Sequence, residues 1–303
     1  MSLINALPGA SAQGLIWGIM AIGVYLTFRI LDVADLTVDG TMCTGGAVCV
    51  MMLMSGHNIW VSMLAATGAG MLAGLATGIF HTFMGIPAIL AGILTQLGLY
   101  SANLKIMGKA NQAVNGNKYN LLVSLRNVKN VPFYQNTILI VAIFIVVLIA
   151  ILYWFFGTEL GCSLRATGCN PNMSRAQGIN TDVCKVLGLM ISNGLVALSS
   201  ALLAQYQGFA DVNMGRGAIV IGLAAVIIGE AIFGKIFRNF VLRLLSVAFG
   251  SILYYLVLQT VIWLGIDTDL LKMLSALVVA IFLAVPYWKA KYFSKPTKRG
   301  GNN

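Results

Sequence analysis

Charge is scarce in this chain. Asp, Glu, Lys and Arg together make up 9% of its 303 residues, where a soluble domain carries about 25%, so water is not its main solvent. The scarcity is also uneven. Between Asp39 and Lys105 lie 65 residues without a formal charge, and further gaps run from Lys129 to Glu159, Lys185 to Asp211 and Arg243 to Asp267. Histidine is nearly absent: His57 and His81 are the only two, each at the end of an apolar run without an acidic neighbour. That excludes His pairs at metal-ligand spacing and leaves no obvious general base. Five cysteines, Cys43, Cys49, Cys162, Cys169 and Cys184, are odd in number and form no C-x-x-C pair, which argues against a disulfide or zinc framework. No G-x-S-x-G occurs. The chain is therefore read as something other than an enzyme, with no metal site.

What is present is hydrophobic length. Hydrophobic residues make up 59% of the chain and mean hydropathy is +0.88. A helical span needs roughly 20 apolar residues, so the internal gaps hold about six spans and the chain ends add two or three. Backbone groups in lipid must be satisfied within the segment, which favours helices. A β-barrel would alternate with period two, and continuous runs such as 138–156 do not. The fold class expected is all-α: one polytopic bundle of eight or nine transmembrane helices occupying 1–303 as a single domain. Candidate spans are 14–31, 40–55, 58–80, 86–104, 134–156, 184–206, 217–235, 243–264 and 270–287. The first run has no basic leader and no clear cleavage site, and is read as a retained span rather than a signal peptide.

The net charge of +10 invites a nucleic-acid reading, but its placement points to lipid. Lys289, Lys291, Lys295, Lys298 and Arg299 follow the last apolar run, so the basic tail 287–303 is expected in the cytoplasm by the positive-inside rule. The stretch 161–183, with Arg165 and Arg175, reads as cytoplasmic. So does 234–243, with Lys235, Arg238 and Arg243, while Gly265–Asp269, with two acids and no base, suits the outside. Parity then puts 105–133 outside although it carries Lys105, Lys109, Lys118, Arg126 and Lys129.

Polar residues inside apolar runs are expensive in a membrane and tend to be functional. The segment Arg29–Thr41 holds Asp32, Asp35 and Asp39 between two short apolar runs, and Gly40-Thr41 could begin a half-helix. Discontinuous helices of that kind point to a translocation pathway. Candidate pathway residues are Asp32, Asp35, Asp39, Thr41, Gln96, Asn103, Asn193 and Gln205; each could equally hold two helices together. Asp211 and Asn213 fall in an expected outer loop. Gly70, Gly74 and Gly78 recur every four residues and predict a flat face for close helix packing. Gly229–Ile236 fits a P-loop except that Ile236 stands where Ser or Thr should bind Mg²⁺. It closes a span, so it is read as coincidence and no ATP site is expected on this chain.

The most informative block is Gly161–Asn180. Asn170-Pro171 is a helix-start signal, with Asn170 as cap and Pro171 in the first helical position, and Gly178 after Asn172–Gln177 is a natural stop, which predicts a helix of about two turns outside the bilayer. Here the sequence resembles a known family. Gly161, Arg165, Ala166, Gly168, Asn170, Gly178, Ile179 and Asn180 fit the coupling region of bacterial ABC permeases serving branched-chain amino acids, ribose and related solutes. Ile221–Gly234 is similar to the A-A-V-I-G-G-x-x-x-F-G segment of that group, with Glu230 where many members carry Gly, and Asp35–Gly40 is similar to its D-L-S-V-G segment. The runs Arg29–Gly40 and Gln205–Gly215 resemble the branch paired with tryptophan- and tyrosine-type substrate-binding lipoproteins.

The resemblance implies a homodimer in a bacterial inner membrane that imports an amino acid or similar small solute. A cytosolic ABC ATPase, carrying ATP and Mg²⁺, would dock on the block around Arg165, Asn170, Pro171, Asn172, Arg175 and Gly178. An extracytoplasmic binding lipoprotein would deliver the solute. The rival reading is a secondary transporter that runs on a proton or sodium gradient through Asp32, Asp35, Asp39 or Glu230.

Overall fold

The computed structural model describes residues 3–114, 116, 119, 121–128, 136–234, 237, 239–264 and isolated positions between 270 and 284. The basic tail, the Gly265–Asp269 turn, most of the expected last span, and Lys118, Lys129, Lys235, Ile236 and Arg238 lie outside the described residues. The described chain is mostly helical. In chain order it runs α1 (Leu3–Tyr25), a π-helical turn (Leu26–Ile30), α2 (Val38–Met54), α3 (Ile59–Thr82), α4 (Ala88–Met107) and β1 (Asn111–Ala113). A 3₁₀ turn (Leu125–Val128) leads to α5 (Thr137–Phe156), α6 (Glu159–Cys169), α7 (Pro171–Ala176) and α8 (Thr181–Gln207). Then come β2 (Phe209–Asp211), α9 (Ala218–Phe233) and α10 (Phe240–Trp263).

Among the described residues, six helices are long and apolar enough to cross a membrane: Ala6–Ile30, α3, α4, α5, α8 and α10. Two more are apolar but shorter. α2 has 17 residues and α9 has 16, about 24–26 Å at 1.5 Å per residue, against a hydrocarbon core of about 30 Å.

α1 and α8 form the buried centre. Serine side chains on α8 and α10 tie α1 into place: Ser199 Oγ donates to the Ile16 carbonyl, Ser192 Oγ to Gly23 and Ser251 Oγ to Gly14, all at 2.6–2.7 Å. Without a hydrophobic drive between helices in lipid, such bonds and close packing supply the association. α3 lies backbone to backbone on α8. A Cβ at Gly70 would strike Ala197 and the Asn193 carbonyl, one at Gly74 the Leu189 carbonyl, and one at Gly78 would sit 3.0 Å from Val186 Cα.

At one end of the bundle β1 and β2 pair antiparallel, Asn111 opposite Asp211 and Ala113 opposite Phe209. The loops after α4 and α8 therefore share a side. The opposite end carries α6 and α7. The sequence reading treated residues from 161 onward as a polar loop, whereas the structure puts Glu159–Cys169 in α6. Thr158 Oγ1 caps α6 by accepting the Gly161 N–H. Gly161 lets that turn fold tightly, since a Cβ there would meet the Phe155 carbonyl and Phe156 Cα.

Candidate functional site

The two short helices begin beside each other in the bundle interior, level with the middle of α4. Leaving α8 at Gln207, the chain pairs through β2 and then folds back along α2 as the segment 212–217. Cys43 holds this segment, its Sγ donating to the Val212 carbonyl at 2.9 Å and accepting the Gly215 N–H at 3.3 Å. Gly215 lies so close to the Asp39 carbonyl that a Cβ would overlap it. Gly217 closes the segment with φ +84°, a left-handed conformation that glycine adopts without strain.

Asp39, in the first turn of α2, caps α9. Its Oδ2 accepts the Gly217 N–H and its Oδ1 the Ile219 N–H, both at 3.0 Å. A helix start leaves its first N–H groups unpaired and carries roughly half a positive charge. The carboxylate answers both needs.

Beside this junction is a cavity of about 370 Å³ lined by Asp39, Gly40, Cys43, Gln96, Leu97, Tyr100, Asn103, Val212 and Arg216. Asn103 is fully buried, and neither its amide nitrogen nor its oxygen has a hydrogen-bond partner. A buried polar group left unsatisfied costs about 1–3 kcal/mol. Arg216 is exposed and, among the described residues, forms no ion pair.

The other polar residues singled out from the sequence fall elsewhere. Asp35 Oδ1 accepts the Thr37 N–H at 2.9 Å, and its Oδ2 accepts from Asn193 Nδ2 at 2.7 Å. Asn193 Oδ1 in turn accepts from Thr41 Oγ1 at 2.7 Å. The ladder continues from Thr37 to Thr77 at 2.7 Å and from Thr77 to Thr95 at 2.9 Å, lacing α2, α3, α4 and α8 together. Asp35, Thr41 and Asn193 are thus committed to one another inside the bundle. Gln205 accepts the Leu122 N–H at 3.3 Å and donates to Cys49 Sγ at 3.6 Å, which fastens the segment before α5. Asp32, at φ +54°, lies in a different cavity, with His81, Gly168, Pro171 and Lys185. Of the eight pathway candidates, Asp39, Gln96 and Asn103 converge on the 370 Å³ cavity.

Arg216 went unrecognised in the sequence because its loop reads as exterior. One feature marks it in hindsight: it is a lone cation flanked by Gly215 and Gly217.

At the α6–α7 end, Asn170 Oδ1 accepts the Met173 N–H at 3.1 Å and Pro171 opens α7. Gly178 follows at φ +83°, and Asn180 Oδ1 caps α8 through the N–H groups of Asp182 and Val183 at 3.2 Å. The Ile179 N–H returns to the Ser174 carbonyl at 3.0 Å. The resulting helix has six residues and starts, as expected, with Pro171 in its first position. Pro171, Asn172, Met173 and Arg175 are exposed on it while Ser174 is buried. Arg175 Nε donates to Thr181 Oγ1 at 2.7 Å and its Nη2 pairs with Asp182 at 3.1 Å. The Ala166 carbonyl accepts the Asn170 N–H at 3.0 Å, and Gly168 presses against the Ile30 carbonyl, where no side chain fits. Arg165 lies apart from α7, its guanidinium carbon 5.4 Å from the centre of the Phe240 ring.

Asp211 Oδ2 accepts from Asn111 Nδ2 at 3.2 Å, and its Oδ1 accepts the Asn213 N–H, so both residues called outer belong to the β1–β2 end.

Comparison with known proteins gives this geometry a context. Residues 8–285 match the family described as branched-chain amino acid transport system / permease component. The chain is 39% identical over 281 residues to a tyrosine transport system permease protein of Clostridioides difficile, covering 93% of this chain and 91% of that one. It is 27% identical to the fructose import permease protein FruF of Bifidobacterium longum, covering 88% and 73% of the two chains. Among solved structures, PsaBC from Streptococcus pneumoniae in complex with Fab superposes with a TM-score of 0.54 at 16% identity, over 96% of this chain and 97% of that one, a likeness of fold alone. With its apolar helices and this match over most of its length, the chain belongs to the branched-chain amino acid transport system permease family and is a multi-pass membrane permease of ABC-type import systems.

Proposed function

We propose that this permease imports an amino acid or a similar small solute, working as a homodimer in a bacterial cytoplasmic membrane. Two copies of a domain spanning 1–303, each with eight or nine crossings, line one pathway. The α6–α7 end and the basic tail face the cytosol. There a separate ABC ATPase, which binds ATP and Mg²⁺, docks on the exposed face of α7, and this chain itself catalyses nothing. A substrate-binding lipoprotein delivers solute at the β1–β2 end.

The observation that carries the reading is the junction of two short helices beside a polar cavity. Short, interrupted helices whose ends meet inside the membrane mark solute sites in transporters. The cavity holds one acid and one base, Asp39 and Arg216. The amino-acid reading draws support from the 39% identity to a tyrosine transport permease. For docking, the support is a short capped helix that joins two buried elements yet exposes Asn172, Met173 and Arg175.

The test is gentle solubilisation of native membranes containing the tagged full chain, followed by identification of what co-purifies. Recovery of an ABC ATPase and a binding lipoprotein that holds an amino acid is the expected result. A homodimer without ATPase, recovered in several detergents, or a lipoprotein that binds sugars only, would overturn the reading.

A further inference from the structure

We propose that the cavity between α2, α4 and the 212–217 segment is a subsite for a zwitterionic α-amino acid with a neutral side chain. Arg216 takes the carboxylate, and Asn103 with Asp39 takes the ammonium. The proposal deepens the amino-acid reading above and rests on it.

Asn103 is the first ground. Nearly all buried polar side chains find a partner, yet both ends of this amide are free in a fully buried position on the cavity wall. An Asn amide offers two donors and an acceptor, so it can serve either end of a zwitterion. Arg216 is the second ground. Its guanidinium matches a carboxylate in a two-pronged geometry that lysine cannot reproduce, and no carboxylate of the described residues pairs with it.

The charge balance narrows the solute class further. Each Asp39 oxygen accepts one backbone N–H from the start of α9. A carboxylate has about four acceptor sites, so capacity remains for an ammonium. Asp39 and Arg216 are the two charged groups on the cavity wall, and together they are neutral. A solute with an extra charge would find no opposite charge left for it on the wall, whereas a zwitterion with a neutral side chain leaves none unpaired. Leu97, Tyr100 and Val212 supply an apolar and aromatic wall for that side chain. The volume, about 370 Å³, is at the low end of small-molecule sites, which run about 300–1,000 Å³.

The test uses the permease–ATPase complex with its binding protein in proteoliposomes, and tritiated neutral L-amino acids, aromatic and aliphatic, as probes. Arg216→Gln and Asn103→Leu are each expected to lower uptake at saturating binding protein at least tenfold and to raise the ATP consumed per solute moved. Arg216→Lys is expected to recover part of the rate. Replacing an unsatisfied buried amide with an apolar group of similar size is neutral or stabilising for the fold. Asn103→Leu should therefore melt no lower than the parent, which separates loss of a ligand contact from loss of structure. Parental uptake in both variants would overturn the subsite and leave amino-acid import standing. Loss of uptake confined to variants that melt lower would also overturn it. A parent complex that hydrolyses ATP but moves none of the probes would overturn the amino-acid reading and the subsite with it.

Discussion

The Asn193 side-chain amide donates to the Asp35 carboxyl at 2.7 Å, joining α8 to the turn before α2 across 158 positions of sequence. The same Asn193 accepts from Thr41, so one side chain holds both sides of the helix start. Asn193→Leu should strip Asp35 and Thr41 of partners they have no water to replace, at a cost of about 1–3 kcal/mol for each buried group. Asn193→Asp should be worse, because it sets two carboxyls face to face. Melting of the detergent-solubilised protein checks this: the expected order is parent, Asn193→Leu, Asn193→Asp, and equal melting of all three would remove the ladder from the account of stability.

Gly74 and Gly68 sit on one helix and make opposite forecasts. A Cβ at Gly74 collides with the Leu189 carbonyl, while one at Gly68 meets nothing within 4 Å. Gly74→Ala should force α3 off α8 and lower both yield and melting temperature. Gly68→Ala should be neutral or raise stability by up to about 1 kcal/mol, since alanine is the better helix former. Thermal scans of the two variants decide the matter.

For α7, the informative changes are those that alter the exposed face without disturbing the fold. Arg175 and Asp182 form an exposed pair, which is worth at most about 1 kcal/mol. Arg175→Ala should therefore leave insertion and melting nearly unchanged while reducing stimulation of the ATPase. Pro171→Ala with Gly178→Val should abolish stimulation, because a β-branched residue at φ +83° is strained and the helix loses its first fixed φ. Normal stimulation by a well-expressed double variant would count against docking on α7.

Arg29 and Glu230 form a 3.1 Å ion pair between the π-helical turn and α9. A gradient-driven transporter would need such a carboxylate to titrate. Under the ATP-driven reading, Glu230→Gln should keep uptake within about threefold, the scale of one partly exposed ion pair. Uptake should also persist when an uncoupler is added with ATP present. Collapse on uncoupling, or complete loss in Glu230→Gln, would favour the rival class.

Local signals in the sequence were read well, and distant contacts were not. The starts of α3, α5, α8 and α10 fall within about four residues of the charge-gap estimates, because exclusion of charge from lipid is a property of each segment alone. Asn170, Pro171 and Gly178 announced α7 because capping depends only on neighbours in the chain. Gly70, Gly74 and Gly78 showed a flat face but not that α8 covers it. Asp35 and Asp39 looked alike in sequence, yet one is locked to Asn193 and the other caps α9 beside a cavity, a difference made by residues over 150 positions away. α6 escaped notice because Thr158-Glu159 sits where an apolar run had just ended, and a mixed helix there reads as loop. Arg216 escaped because only the return of 212–217 along α2 brings it to the cavity wall.

The contact between α3 and α8 has a mechanical side. Where Gly70 and Gly74 press on α8, carbonyl groups and main chain bear on main chain, and no rotamer is available to yield. Two rods joined in this way resist sliding and bend as one girder of 24 and 27 residues. α8 starts at Thr181, to which Arg175 of α7 is hydrogen-bonded, and it ends at Gln207, next to the strand that leads into the 212–217 segment. α7 is thus joined through a stiff beam to the β1–β2 end of the bundle, with little side-chain give on the way.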